Sequence, residues 1–124
     1  MNDSLPIPVP GDAARVQHVF NVPASMVGVC GCSTLVFHEL TAEDEIMASK
    51  RARGDAGTLA YELAKASLAA VDGKRLSLSD GSVDRWFSHA SPKVRGLIVT
   101  AYNEIHSVTQ GDADAFLKSR KVVA

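Results

Sequence analysis

The chain has 124 residues with 13 Lys and Arg against 14 Asp and Glu, a net charge of −1. That is the length of one domain, and the near-neutral balance argues against a nucleic-acid partner, which needs clustered basic side chains to release counterions from phosphates. A hydrophobic fraction of 46% excludes a disordered chain, and 6% aromatics predicts a core of small and aliphatic side chains.

No apolar run approaches the roughly 18 residues of a membrane span. Met1-Asn2-Asp3-Ser4 lacks the basic and apolar regions of a signal peptide, so the sequence predicts a cytoplasmic protein with no membrane partner. Residues 1–37 contain only three charges (Asp3, Asp12 and Arg15) but four of the five prolines. Pro6, Pro8 and Pro10 alternate with Ile7 and Val9, which excludes a helix or a central strand and reads as an extended apolar arm. We therefore divide the chain into residues 1–33, an arm with short strands, and residues 34–124, a mainly helical domain.

The signal from Val16 to Leu40 is β. Val16, His18, Phe20 and Val22 alternate with intervening residues until Pro23. A second β-branched stretch spans Val27–Val29, and a third spans Thr34–Glu39. In the third, Leu35, Phe37 and Glu39 point one way and Thr34, Val36 and His38 the other. Two or three short strands, forming a small antiparallel sheet, are expected.

Thr41 opens a helix with Asp44 placed for a capping box. Glu43, Asp44 and Glu45 fill its first turn and Lys50, Arg51 and Arg53 its end, which complements the helix dipole and explains these charges without catalysis. A second helix is predicted from Ala56 to Val71, with Leu59, Leu63 and Ala66 at helical spacing and only Glu62 and Lys65 charged. A helix this apolar is covered on more than one face, which predicts a homo-oligomer. Leu59, Leu63 and Tyr61 are accordingly partner-binding candidates, as are Phe20 and Val22 in the apolar N-terminal region.

Asp72-Gly73 and Asp80-Gly81 bracket a hairpin-like insertion around 71–81 in which Leu76 and Leu78 alternate with serines. A short helix follows from Val83 to His89. Ser91-Pro92 then opens the clearest helix, with Val94, Leu97, Ile98, Ala101, Tyr102 and Ile105 on one stripe. Gly111 ends that pattern, and a last helix from Asp112 to Arg120 is expected to bury Phe116 and Leu117. The fold class is thus α+β, mainly α, with four to five helices.

The residues offer no catalytic constellation. No phosphate loop, nucleophile elbow or His-x-x-x-His pair occurs. Cys30 and Cys32 are too close for a structural disulfide. As zinc ligands they would need His18 and His38, and their spacing matches no standard zinc site. They read as small apolar residues beside Gly31. His38-Glu39 could form a general base, but no third residue or nucleophile accompanies it, and an edge-strand pair at a helix entrance is much the better explanation. His89 and His106 sit in last helical turns, where the dipole favours an imidazolium. Trp86 and Tyr102 read as core rather than as a base-stacking platform, since acidic residues interleave with the nearby basic ones. No enzyme activity and no cofactor are expected.

The order of features nevertheless matches a known pattern. Leu40-Thr41-Ala42-Glu43-Asp44-Glu45 leads an Ala-rich helix, followed by Val71-Asp72-Gly73-Lys74 and the pair Trp86-Phe87. Pro92, Arg95, Ala101-Tyr102 and Ile105-His106 mark the long helix, and Phe116 and Ser119 close the chain. Over residues 34–120 this arrangement resembles the tail assembly chaperones of tailed bacteriophages. The resemblance implies a non-enzymatic protein of the host-cell cytoplasm that coats the tape-measure protein, helps recruit tail-tube subunits and then leaves. Many members of that family also have a longer form made by frameshifting. The arm and Cys30-Gly31-Cys32 have no counterpart in that pattern. They are the ground for the alternative reading, a permanent tail or baseplate subunit whose arm would lace into its neighbours.

Overall fold

The computed structural model describes residues 15–123; the proline-rich segment read as an arm falls largely outside them. Four antiparallel strands form one sheet in the order β1-β2-β3-β4: β1 Gln17–Asn21, β2 Thr34–His38, β3 Leu68–Val71 and β4 Lys74–Arg75. Six helical segments accompany it: α1 Val27–Cys30, preceded by a 3-10 turn at Ala24–Met26, α2 Ala42–Ala52, α3 Ala56–Ser67, α4 Ser82–His89, α5 Pro92–His106 and α6 Gln110–Lys118. The fold is mainly helical with a small antiparallel sheet, the class predicted from the sequence.

Several boundaries differ, each for a physical reason. Val27–Val29, expected as a strand, forms α1. Gly31 at φ 73° closes it by donating its N–H to the Val27 carbonyl, a conformation that glycine adopts without steric cost. The second predicted helix stops at Ser67, and Leu68–Val71 becomes an interior strand between β2 and β4. A bulge accounts for the misreading. Val36 pairs with Ala70 but Phe37 pairs with Leu68, leaving Ala69 as an extra residue. Leu68 and Val71 therefore both face the core although they stand three apart, a spacing that imitates a helix.

The region 71–81 is less an insertion than the end of the sheet. Asp72 and Gly73, at φ 49° and 80°, make the two-residue turn joining β3 to β4. Only Lys74 and Arg75 continue as strand, and the Leu76 and Leu78 alternation does not extend it. The last helix begins at Gln110, with Gly111 in its first turn. Thr109 caps it by accepting the Asp112 N–H at 3.0 Å, and glycine is tolerated where the N–H groups lack helical partners. Phe116 and Leu117, expected to be buried, are 76% and 68% exposed.

The main core lies between one sheet face and the helices. Leu35, Phe37, Leu68 and Val71 meet Ala64, Phe87, Val94, Ile98 and Ala101, with Val22, Cys30 and Cys32 in the same cluster. Residues 15–33, grouped with the arm in the sequence reading, thus supply a strand and three core side chains to the helical domain. Val19, Val36, Ala69 and Ala70 form a second, smaller cluster on the opposite face. Burying each large side chain such as Phe37 or Ile98 contributes roughly 1.5–3 kcal/mol.

The cover predicted for α3 comes from within the chain, since α2, α5 and α4 all pack on it. Ion pairs fix the arrangement. Glu62 receives Arg51 at 2.8 Å and Lys65 at 2.9 Å, and Lys65 also reaches Asp84 at 2.8 Å, linking α2, α3 and α4. Among the described residues no helix is long and apolar enough to cross a membrane.

Candidate interaction surfaces

The partner-binding candidates fall into two places. Phe20 and Val22 come together at an apolar cavity of about 190 Å³ between the end of β1 and α5. β-Pairing creates this site. Phe20 pairs with Leu35 and sets its ring edge-on to Phe37, with centroids 5.6 Å apart. Leu97 and Ala101 of α5 close the far wall, and Thr100 and Glu104 add exposed polar side chains. Val22 itself is buried and forms wall rather than contact surface.

Leu59, Leu63 and Tyr61 lie on α3, away from that cavity. Leu59 and Leu63 are half-buried one turn apart. Tyr61 points elsewhere, 43% exposed, with its ring edge against Phe87 at 5.5 Å. The structure thus divides the three rather than joining them in one patch.

Two exposed apolar features escaped the sequence reading. On α2, Ile46 is 56% exposed, and Met47 beside it is exposed too. Ala42, Ile46 and Ser49 recur at i, i+4 and i+7 along a shallow groove edged by Glu45 and Lys50. The charges that dominate α2 hide the spacing of these side chains in the sequence. At the C-terminus, Val108, Phe116, Leu117, Val122 and Val123 are all exposed, and α6 has no buried residue.

The polar groups have local structural roles. Asp72 Oδ1 accepts the Ser33 N–H at 2.8 Å, the Thr34 N–H at 2.9 Å and the Ser33 hydroxyl at 3.0 Å. These bonds hold its carboxyl below the usual carboxylate range, and they tie the β3–β4 turn to the start of β2. Thr41 and Asp44 complete the expected capping box. Burial pushes the Asp44 carboxyl up, but the Thr41 hydrogen bonds and the Arg15 and His38 charges outweigh it and lower it overall.

The histidines separate. β2 is an interior strand rather than an edge, and its successive residues diverge. His38 Nδ1 meets Arg15 at 2.6 Å, whereas Glu39 bonds His18 at 3.0 Å. His38 and Glu39 therefore do not form one catalytic pair. His106 accepts the Leu40 N–H on Nε2 at 2.9 Å and sits 2.9 Å from the Tyr102 carbonyl through Nδ1. The ring thereby bridges α5 to the residues just before α2. The Tyr102 ring stacks on it at 4.3 Å.

Cys30 and Cys32 are free thiols in the core, the packing role that their spacing suggested. Burial, then the Asp72 charge, pushes the Cys32 thiol up and away from thiolate chemistry. Among the described residues no three His, Cys, Asp or Glu side chains gather where they could hold a metal ion. Comparison of the chain with protein-family models, curated proteins and solved structures finds no match.

Proposed function

We propose that the protein is a phage tail assembly chaperone that binds the tape-measure protein in the host-cell cytoplasm and helps recruit tail-tube subunits. The observation carrying this reading is the order and spacing of features over residues 34–120, which resembles that family. The features fall on distinct local structures: Thr41 caps α2, Asp72-Gly73 turns the sheet, Trp86-Phe87 lies on α4 and Tyr102 with His106 on α5.

A chaperone for a long helical partner needs apolar surface that is shallow enough to accept many registers and to release. The groove along α2 has that form, with one large side chain, Ile46, between the small Ala42 and Ser49. A partner helix laid there would bury methyl and methylene groups without needing a specific polar match. Glu45 and Lys50, on its two sides, suit a partner of mixed charge.

Co-expression of the tagged chain with the tape-measure protein of the same phage tests the reading. The native chain should keep the partner soluble and be recovered with it. Ile46→Asp should fold normally, because the position is exposed, yet recover at least about tenfold less partner. Failure of the native chain to bind or solubilise the tape-measure protein would overturn the proposal.

A further inference from the structure

We propose that residues 5–9 add to the free edge of β1 in the same chain as a further antiparallel strand, with Ile7 opposite Val19. This inference goes beyond the tail-assembly reading and does not rest on it. Two alternating patterns carry it, one in the strand and one in the sequence before it.

The first is the direction of the backbone groups of β1. In its antiparallel register with β2, Glu39 donates its N–H to the Val16 carbonyl and Val22 donates to the Ser33 carbonyl. Bonded and non-bonded pairs alternate along such a ladder, so Val16, His18, Phe20 and Val22 turn their N–H and C=O groups toward β2. Gln17, Val19 and Asn21 turn theirs away. Among the described residues β1 is the end strand of the sheet, with no strand on that outer side. The usual guards of an open edge, a lysine, a proline or a bulge, are missing from Gln17–Asn21.

The second pattern is the proline spacing. Residues 1–14 lie outside the described residues and lead into β1. Pro6, Pro8 and Pro10 lack an N–H, whereas Leu5, Ile7 and Val9, which alternate with them, each have one. Such a segment can pair along one side only, and proline is accepted in an edge strand where its missing N–H faces solvent. With Ile7 set opposite Val19, Leu5 meets Asn21 and Val9 meets Gln17. Each pair then exchanges two hydrogen bonds, and all three prolines face away from β1. Residues 10–16 are left for the connection, and they open with Pro10-Gly11, a turn dipeptide. Ile7 also extends the apolar row of Val19, Val36 and Ala70 on the second face of the sheet. The added strand thus closes one edge and, blocked by its prolines, offers no new one.

Hydrogen exchange of the full chain, followed amide by amide by NMR, tests the pairing. The Gln17, Val19 and Asn21 amides should be protected, as should those of His18 and Phe20, which face β2. Ile7→Pro removes the central donor of the segment. It should speed exchange at Gln17, Val19 and Asn21 by at least about tenfold, while His18 and Phe20 stay protected and report an intact sheet. Pro8→Ala only adds an outward N–H and should leave all five amides unchanged. Unprotected Gln17, Val19 and Asn21 in the native chain, or protection that survives Ile7→Pro, would overturn the proposal. Protection that falls on dilution would overturn it too, by placing the strand on a second copy.

Discussion

Asp72 is the side chain whose removal has the most legible consequence. Its carboxylate accepts three hydrogen bonds from Ser33 and Thr34 while its backbone sits at φ 49° in the turn. Because its folded pKa lies below the ordinary 3.8, it contributes stability fully above that value. The contribution is lost as pH falls through the lower folded value. Asp72→Asn keeps a residue that tolerates the turn but removes the charge. It should lower stability at neutral pH by about 1 kcal/mol and flatten the acid limb of a denaturation profile measured from pH 7 down to 2. His106→Ala is a second case. It strands the Leu40 N–H and removes the Tyr102 stack, so a urea midpoint should fall by the equivalent of about 1–3 kcal/mol. The sequence placed His106 correctly at a helix end but gave no sign of the Leu40 contact, because that partner lies 66 positions away.

At the scale of elements, local chemistry was legible and long-range register was not. The Thr41 capping box, the Ser91-Pro92 start of α5 and the Asp72-Gly73 turn all stand where a few adjacent residues dictate them. β3 was hidden, because Leu68 and Val71 continue the spacing of α3 and alanine favours helix. Pairing with β2 and β4 and the bulge at Ala69 turn Leu68–Val71 into a strand. Fully buried Leu68 should therefore behave as core. Leu68→Ala should cost about 2–5 kcal/mol in a chemical denaturation experiment, whereas Phe116→Ala on exposed α6 should change stability by less than about 0.5 kcal/mol. Equal losses at the two positions would contradict the assignment of both. The α6 misreading has a similar origin, since an amphipathic stripe specifies a buried face but not which molecule covers it.

For the whole molecule, the sequence pointed to the mainly helical class and the small sheet through alternating patterns, caps and turns. The candidate surfaces were only half legible. Phe20 was identified and does line the apolar cavity. The groove on α2 went unseen because a run of charges dominates that helix. The physical account that results is of a chain with a firm core between sheet and helices and with large apolar side chains left exposed, Ile46 and Met47 on α2 and Phe116 and Leu117 on α6 among them. A transient assembly factor uses such surfaces and then releases them, whereas a permanent subunit keeps them covered in the finished particle. Quantitative mass spectrometry of purified phage particles, beside a lysate of the producing cells, separates these most directly. The chaperone account predicts abundant protein in the lysate and none in the particles. Stoichiometric protein in the particles would contradict it and identify a structural subunit instead.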